Sequence, residues 1–207
     1  MTLAHQPSMW DVAEEPSLAP LTPTRHRLSR RAWVDHLPGW VQGSDAVLEV
    51  LLGDIGWRAD RRQMYDREVA VPRLLRWYGR EETLPHPLLT QAREALGAHY
   101  APELGEPFVT AGMCLYRDGR DSVAWHGDRL GRSRTQDTVV AIVSFGSPRP
   151  LLLRPVGGGE TLRFPLGHGD LVVMGGSCQR TWEHCIPKTA KPVGPRVSVQ
   201  FRPAGVA

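Results

Sequence analysis

The residues in this sequence that most clearly suggest chemistry are two histidines and an aspartate. His126 and Asp128 stand in the segment WHGD, and His184 stands farther along the chain in TWEHCIP. The H-x-D spacing places both side chains on one face of an extended strand, because successive side chains in a strand alternate. Two imidazoles and one carboxylate form the facial triad that holds non-haem Fe(II) and leaves coordination positions open for a cosubstrate and oxygen. This spacing therefore predicts an iron site.

The H-x-D pair alone is a weak indication of a metal site. The chain has 8 His and 22 acidic residues, so such pairs also arise by chance. The alternative is a hydrogen-bonded histidine at a strand end, followed by an aspartate in a turn. His168 illustrates that alternative, because its segment LGHGDL has the composition of a turn between two strands.

A second pattern, near the carboxyl end, strengthens the prediction of the triad. In PRVSVQFRP, Arg196 and Arg202 are an even number of residues apart, so both guanidinium groups share one face of a strand with Ser198 and Gln200. Arginine binds a carboxylate through two parallel hydrogen bonds and keeps its charge when desolvated. This face predicts a binding wall for a dicarboxylate cosubstrate. The alternative is a solvent-exposed strand whose two arginines bind nothing.

Short strands must position these residues. The 207 residues are 41% hydrophobic and 23% charged, as in globular domains, and 18 Pro and 21 Gly favour many short elements. After residue 106, β-branched runs follow one another without a helical pattern, which predicts a barrel or a sandwich. These runs are FVTAGMCLY, SVAWH, TVVAIVSFG, PLLLRP, ETLRF, DLVVMG and RVSVQFR.

Two helices are predicted upstream of the strands. Apolar residues recur at helical spacing from Ser44, a candidate N-cap, to about Gly53 or Gly56, and again from Pro87 through LLTQAREALGAHY. The segment between the two helices is irregular, basic and aromatic. The first 30 residues have the composition of an arm or tail in which disorder is favoured over order.

Composition excludes several classes of protein. We find no apolar run long enough for a membrane span and no secretory signal at the start, so we predict a cytoplasmic protein without membrane association. The cysteines Cys114, Cys178 and Cys185 form no C-x-x-C pair, which argues against a disulfide framework or a cysteine zinc site. The net charge of +3 allows a polyanionic partner without establishing one.

Several segments together resemble one enzyme family. They are PRLLRWYG, LYRDGRDSVAWHGD, IVSFGSPRPLLLR, LGHGDLVVMGG, TWEHCIPK and PRVSVQFR. In this order they are similar to the AlkB-type Fe(II)- and 2-oxoglutarate-dependent dioxygenases. The resemblance runs from residue 72 to residue 202 and leaves the upstream part unexplained. It implies a double-stranded β-helix, or jelly roll, and therefore an α+β, mainly β fold with N-terminal helices packed on it.

The resemblance also implies roles for individual residues. Fe(II) would be held by His126, Asp128 and His184. Arg196 would pair with the distal carboxylate of 2-oxoglutarate, Tyr116 would hydrogen-bond to the cosubstrate, and Arg202 would support its metal-chelating end. The implied domain organisation is an arm over residues 1–30 and a dioxygenase domain over 31–207. In that domain, helices and a substrate lid segment (31–105) precede the jelly-roll core (106–207).

The implied activity is oxidative dealkylation of N-alkylated bases in DNA or RNA, a DNA repair chemistry that uses Fe(II), 2-oxoglutarate and molecular oxygen. The sequence departs from the family pattern at Cys114, where Asn is usual, and at Ser198 and Gln200 in the closing motif. Leu130 stands where an acid often reads the damaged base. The same iron chemistry on a protein or small molecule, or a nucleic-acid-binding module with an idle metal site, therefore remains an alternative. Hydrolysis at a zinc site is disfavoured, since it gives no reason for paired arginines.

Enzymes that act on a base extrude it from the stack, which requires apolar or aromatic walls and cations for the backbone. We expect a monomer that binds nucleic acid through residues near the lid and the metal loop. The candidate substrate-binding residues are Trp125, Arg129, Met64, Tyr65, Trp77 and Tyr78. Further candidate phosphate contacts are Arg58, Arg61, Arg62, Arg73, Arg76, Arg132 and Arg134.

Overall fold

A computed structural model describes residues 15–53, 55–64, 67–128 and 132–206, with the backbone alone at 61–64, 67–70 and 132. The strands are β1 (Ser17–Leu18), β2 (Thr24–Arg27), β3 (Trp33–Leu37), β4 (Val41–Gln42), β5 (Arg58–Met64), β6 (Arg67–Tyr78), β7 (Thr110–Tyr116), β8 (Val123–His126), β9 (Val140–Gly146), β10 (Arg149–Pro155), β11 (Leu162–Leu166), β12 (Leu171–Gly175), β13 (Trp182–Ile186) and β14 (Arg196–Arg202). The helices are α1 (Ser44–Leu52), α2 (Pro87–His99), α3 (Ala101–Leu104) and α4 (Cys178–Thr181).

Two antiparallel sheets form the centre of the fold. The larger sheet has eight strands in the order β2-β3-β12-β9-β14-β7-β6-β5, and the smaller has four in the order β11-β10-β13-β8. Apolar side chains from both sheets, such as Ile142 on β9 and Leu153 on β10, pack in one cluster between them. This arrangement is the expected mainly β jelly roll, because each sheet buries one face against the other.

The helices cover the other face of the larger sheet. Leu51 of α1 and Leu96 of α2 are fully buried and pack in one cluster with Val143 and Val199 of the sheet. Successive residues of β14 therefore contribute to two different layers. Val197, Val199 and Phe201 pack toward the helices, whereas Arg196, Ser198 and Gln200 line the space between the sheets, as the alternation along the strand predicts.

The predicted strands after residue 106 are all present, and the region before it contains more β-structure than the sequence indicates. Residues 58–78, expected to be irregular, form the hairpin β5–β6, whose second strand pairs with β7 along the edge of the larger sheet. Its first strand, RADRRQM, has no alternation of apolar side chains that would mark a strand. Pairing with the sheet supplies the hydrogen bonds that its composition does not suggest.

The N-terminal segment expected to be an arm joins the fold from residue 17 onward. Strand β1 pairs with β4. Strand β2 pairs with β3 at the edge of the larger sheet. Helix α1 starts with the buried Ser44, and the N-cap is Gly43 in a left-handed conformation, so Ser44 is the first helical residue and not the cap. In the described part of the chain, no helix is long and apolar enough to cross a membrane.

An ion pair with one buried partner connects β2 and β3 to the end of helix α2. Asp35 is 1% exposed, and its carboxylate accepts two hydrogen bonds of 2.8 Å from the Arg25 guanidinium. The Tyr100 hydroxyl donates a third, of 2.9 Å, and burial raises the pKa of that hydroxyl. The Arg25 guanidinium also lies 4.0 Å from the ring centroid of Trp33. These contacts connect the N-terminal strands to the helical layer.

We expect Tyr100→Phe to lower the free energy of unfolding by about 1 to 3 kcal/mol, because it removes a hydrogen bond to a buried carboxylate. Urea denaturation measures this, with an unchanged m value as the sign that the native and denatured states stay comparable. A variant as stable as the wild type would show that the hydroxyl contributes nothing to the anchor.

Candidate active site

The structure brings His126, Asp128 and His184 together. His126 on β8 and His184 on β13 are direct cross-strand partners, and their ring centroids are 4.3 Å apart. Asp128 lies two residues beyond the end of β8, and its Oδ1 is 3.7 Å from His126 Nε2. One candidate ligand atom from each of the three residues lies within 4.8 Å of the others. The three side chains can therefore surround one ion.

Hydrogen bonds to the backbone orient the His126 ring. Its Nδ1 lies 2.8 Å from the carbonyl oxygen of Ala124 and 3.1 Å from that of His184. Both partners are acceptors, so Nδ1 carries the proton and Nε2, on the side of Asp128, keeps a free lone pair. A carbonyl partner on the second ring nitrogen is the usual way in which proteins fix a metal-binding imidazole.

The electrostatic environment keeps His184 and Asp128 in the protonation states that a cation requires. Burial lowers the pKa of His184 to about 3, and the neighbouring His126 adds to this effect. Burial alone would raise the pKa of Asp128, but the charge of Arg202 and the two histidines hold it below its ordinary value. At neutral pH the site therefore offers the neutral imidazole of His184 and the ionised carboxylate of Asp128, as metal binding demands. Two imidazole nitrogens and one carboxylate oxygen fit Fe(II).

Arg196 lies deep in the space between the sheets and is 2% exposed. Its Nη2 donates a hydrogen bond of 2.7 Å to Ser144 Oγ, while Nε and Nη1 make no hydrogen bond within the described residues. Burial lowers the pKa of this guanidinium, because a buried charge is costly without a partner. A carboxylate bound here would pair with both free nitrogens. The residue is therefore suited to a dicarboxylate cosubstrate.

Three further predicted cosubstrate residues lie beside Arg196. Tyr116 faces it from β7, with its ring centroid 5.2 Å from the guanidinium carbon. Burial raises the pKa of the Tyr116 hydroxyl to about 12, so it remains a hydrogen-bond donor at neutral pH. The Cys114 Sγ lies 3.9 Å from Gln200 Oε1, and Gln200 Nε2 donates to Ser198 Oγ at 2.5 Å. This polar group stands where the sequence departs from the family pattern.

Arg202 contacts the candidate metal site directly. Its Nε and Nη2 donate hydrogen bonds of 3.1 and 3.0 Å to Asp128 Oδ2. The role that the resemblance implies for it, support of the metal-chelating end of the cosubstrate, stays a prediction. The Arg202 side chain is mostly buried, and the Asp128 carboxylate gives its guanidinium an acceptor of opposite charge. Arg202 thus orients the carboxylate and leaves its Oδ1 on the side of His126.

A cavity of about 660 Å³ contains the triad and the Arg196 wall. Of the predicted site residues, the following line it: His126, Asp128, His184, Arg196, Arg202, Tyr116, Ser198, Cys114 and Trp77. Ser144, the hydrogen-bond partner of Arg196, was missed. Its signal was present, because Ser144 is the polar residue in the otherwise apolar run VVAIVSFG.

The predicted substrate-binding residues are divided by the fold. Trp77 lines the cavity and is 42% exposed. Trp125 is on the opposite face of β8 from His126, stacked against the Arg154 guanidinium at 4.1 Å, and Tyr78 is 5% exposed in the core on the helical side. Neither of these two lines the cavity, since adjacent residues in a strand point to opposite faces. Tyr65 and Arg129 lie outside the described residues, as does Leu130, and Met64 is described by its backbone alone.

Comparison with solved structures supports the fold. The chain is similar to the structure of OsALKBH1, with a TM-score of 0.57 and 15% identity, over 82% of this chain and 97% of that one. It is also similar to a Pseudomonas putida prolyl-4-hydroxylase, with a TM-score of 0.56 and 16% identity, over 83% of this chain and 93% of that one.

Comparison with known sequences identifies the family. The chain is 32% identical over 186 residues to the human protein called alpha-ketoglutarate-dependent dioxygenase alkB homolog 3, which covers 80% of this chain and 64% of that protein's length. It is 30% identical over 124 residues to the human DNA oxidative demethylase ALKBH2, covering 56% of this chain and 46% of that protein. The model of the 2OG-Fe(II) oxygenase superfamily matches residues 42–202. The chain therefore belongs to this superfamily, which uses 2-oxoglutarate and Fe(II), and within it the predicted likeness to AlkB-type enzymes is confirmed.

Proposed function

We propose that this protein catalyses the oxidative demethylation of N-alkylated bases in DNA or RNA, with Fe(II), 2-oxoglutarate and molecular oxygen. The observation that carries the proposal is that the candidate iron ligands, the buried Arg196 and a basic, aromatic wall line one cavity. The names of the human relatives, alkB homolog 3 and DNA oxidative demethylase ALKBH2, support the same reaction.

The roles of the protein's own groups follow from their positions. His126, Asp128 and His184 would hold Fe(II), which when bound supplies the oxidising chemistry together with 2-oxoglutarate and oxygen. Arg196 would bind and orient the distal carboxylate, and the neutral Tyr116 hydroxyl would donate to the cosubstrate. The buried positions of Asp128, His184 and Arg196 limit the access of water to them, which strengthens their charged contacts. The hydroxylated N-alkyl carbon would leave as an aldehyde.

The charge of the cavity favours a polyanionic substrate. Arg58, Arg73 and Arg76 of the β5–β6 hairpin line the cavity, as does Trp77, and Arg76 is paired with Glu82. Among the described lining residues, the acids are Asp60 and Asp128, and the latter is paired with Arg202. Arginines in excess over acids attract phosphates, and an exposed indole offers a face on which a base can stack. These features support nucleic acid over a neutral small molecule.

The test uses purified protein with Fe(II) and 2-oxoglutarate, offered methylated DNA, methylated RNA and methylated peptides separately. We expect succinate and formaldehyde in equimolar amounts with one of the two nucleic acids. Turnover with peptides alone would support the same iron chemistry on a protein substrate. Folded, iron-loaded protein that forms no succinate with any substrate would support an idle metal site. A monomeric state and a cytoplasmic location remain predictions, which light scattering and cell fractionation would check.

We expect Trp77→Ala to raise the KM for a methylated oligonucleotide by about 5- to 150-fold, the range expected when one base loses its aromatic partner. The KM for 2-oxoglutarate should stay close to the wild-type value. Leu52→Ala is the matched control, because Leu52 is similarly exposed, at 39%, on α1 and does not line the cavity. An unchanged oligonucleotide KM in Trp77→Ala would remove this indole from the substrate wall.

A further inference from the structure

The short helix α4 lies between β12 and β13 and contains a buried amide that the sequence did not single out. Gln179 is 1% exposed. Its Oε1 accepts a hydrogen bond of 3.0 Å from the backbone N–H of Asp128, across two segments far apart in the chain. This contact reaches the candidate iron ligand through its main chain and not through its carboxylate.

The orientation of this amide follows from its partners. An N–H group needs an acceptor, so the oxygen of Gln179 must face Asp128. The amide nitrogen then lies 4.0 Å from Met174 Sδ, a weak acceptor. A flipped amide would place two donors against each other and leave a buried N–H without a partner, which is costly. The oxygen is therefore held toward Asp128.

Contacts with distant parts of the chain fix helix α4. Ser177, at its start, is buried and donates a hydrogen bond of 2.5 Å to the carbonyl oxygen of Arg30. Arg180, near its end, forms an ion pair with Asp137, which lies shortly before β9. At the base of the helix, a Cβ added to Gly176 would lie 2.2 Å from the Arg31 carbonyl oxygen, so the two backbones are in close contact. The helix is thus held at both ends.

Three atoms of Asp128 therefore each have a hydrogen-bond partner in another part of the chain. Arg202 binds Oδ2 of the carboxylate, Ser133 donates its hydroxyl to the backbone carbonyl, and Gln179 accepts from the backbone N–H. We propose that Gln179 is a positioning residue for the iron site, which fixes the backbone of Asp128 so that Oδ1 stays beside the two imidazoles. This inference rests on the proposed function, in that it takes Asp128 as a ligand of Fe(II).

The experiment measures Mn(II) affinity by electron paramagnetic resonance, without turnover. In Gln179→Met the volume is kept and the strong acceptor is lost. In Gln179→Asn the amide is kept but is one methylene too short to reach Asp128. In Gln179→Glu both reach and acceptor are kept. Thr181→Val changes the same helix at a residue whose hydroxyl bonds to Ser177 and not to Asp128.

We expect Kd for Mn(II) to rise by about 10- to 100-fold in Gln179→Met and Gln179→Asn, the usual effect of losing a group that supports a metal ligand. Gln179→Glu and Thr181→Val should bind close to the wild type. Thermal unfolding of the metal-free proteins shows which variants fold. If Gln179→Met does not fold, the polar variant Gln179→Asn still tests the inference.

Two outcomes would overturn the inference and one would overturn its basis. Wild-type affinity in a folded Gln179→Met or Gln179→Asn, or an equal loss in Gln179→Glu, would show that the acceptor does not position Asp128. Wild-type protein that binds no Mn(II) would instead contradict the proposed iron site itself. The two failures are therefore distinguishable in one set of titrations.

Discussion

Asp128→Ala is expected to abolish succinate formation, with a loss of more than about 100-fold, the upper range for residues that only support metal ligands. The carboxylate is the single anionic group of the triad, and its pKa is held below the ordinary value by Arg202 and the histidines, so it stays ionised at neutral pH. Its removal leaves the positive charge of the Arg202 guanidinium beside the two imidazoles without a compensating anion, which disfavours a bound cation. Turnover assays with saturating Fe(II), paired with Mn(II) titration, measure both consequences.

The control for this variant is a histidine away from the cavity. His99 is exposed at the end of α2 and does not line the cavity, so His99→Ala should keep wild-type turnover and metal affinity. A circular dichroism spectrum and melting curve establish that Asp128→Ala still folds. Substantial turnover in folded Asp128→Ala would mean that the three side chains meet for a structural reason and that the reactive centre lies elsewhere.

Arg196→Ala should raise the KM for 2-oxoglutarate by about 30- to 5,000-fold, because removing one member of a buried charge pair costs about 2 to 5 kcal/mol. The buried guanidinium has two nitrogens without a partner in the described structure, which a carboxylate would satisfy. The effect of this variant on Mn(II) affinity without cosubstrate should be small, because Arg196 contacts Ser144 and Tyr116 and not the triad.

Arg154→Ala is the matched control for the loss of an arginine. Arg154 pairs with Glu183 at 2.6 Å and stacks on Trp125, outside the cavity. In Arg154→Ala the dependence of succinate formation on 2-oxoglutarate concentration should therefore be the same as in the wild type. If Arg196→Ala and Arg154→Ala gave the same curve as the wild type, Arg196 would not bind the cosubstrate.

The sequence could predict the arrangement of side chains along a single strand. Arg196, Ser198 and Gln200 share the face of β14 that lines the cavity, and His126 and Asp128 both lie at the cavity at the end of β8. The grouping on β14 depends only on the alternation of residues in a strand, which is local. Asp128 lies beyond the end of β8, and tertiary contacts also position it. The hairpin β5–β6 could not be predicted in this way, because its first strand lacks alternating apolar residues and owes its conformation to pairing in the sheet.

The sequence by itself determined which residue types could hold iron and a dicarboxylate, and which of them share a strand face. Only the tertiary structure decided their partners: Arg202 binds Asp128, Gln179 holds its backbone N–H, and Trp77 faces the cavity while Trp125 does not. The physical reason is that strand alternation separates two faces without saying which one becomes the interior. That choice depends on how the two sheets stack, and stacking brings together residues from segments that are distant in the chain.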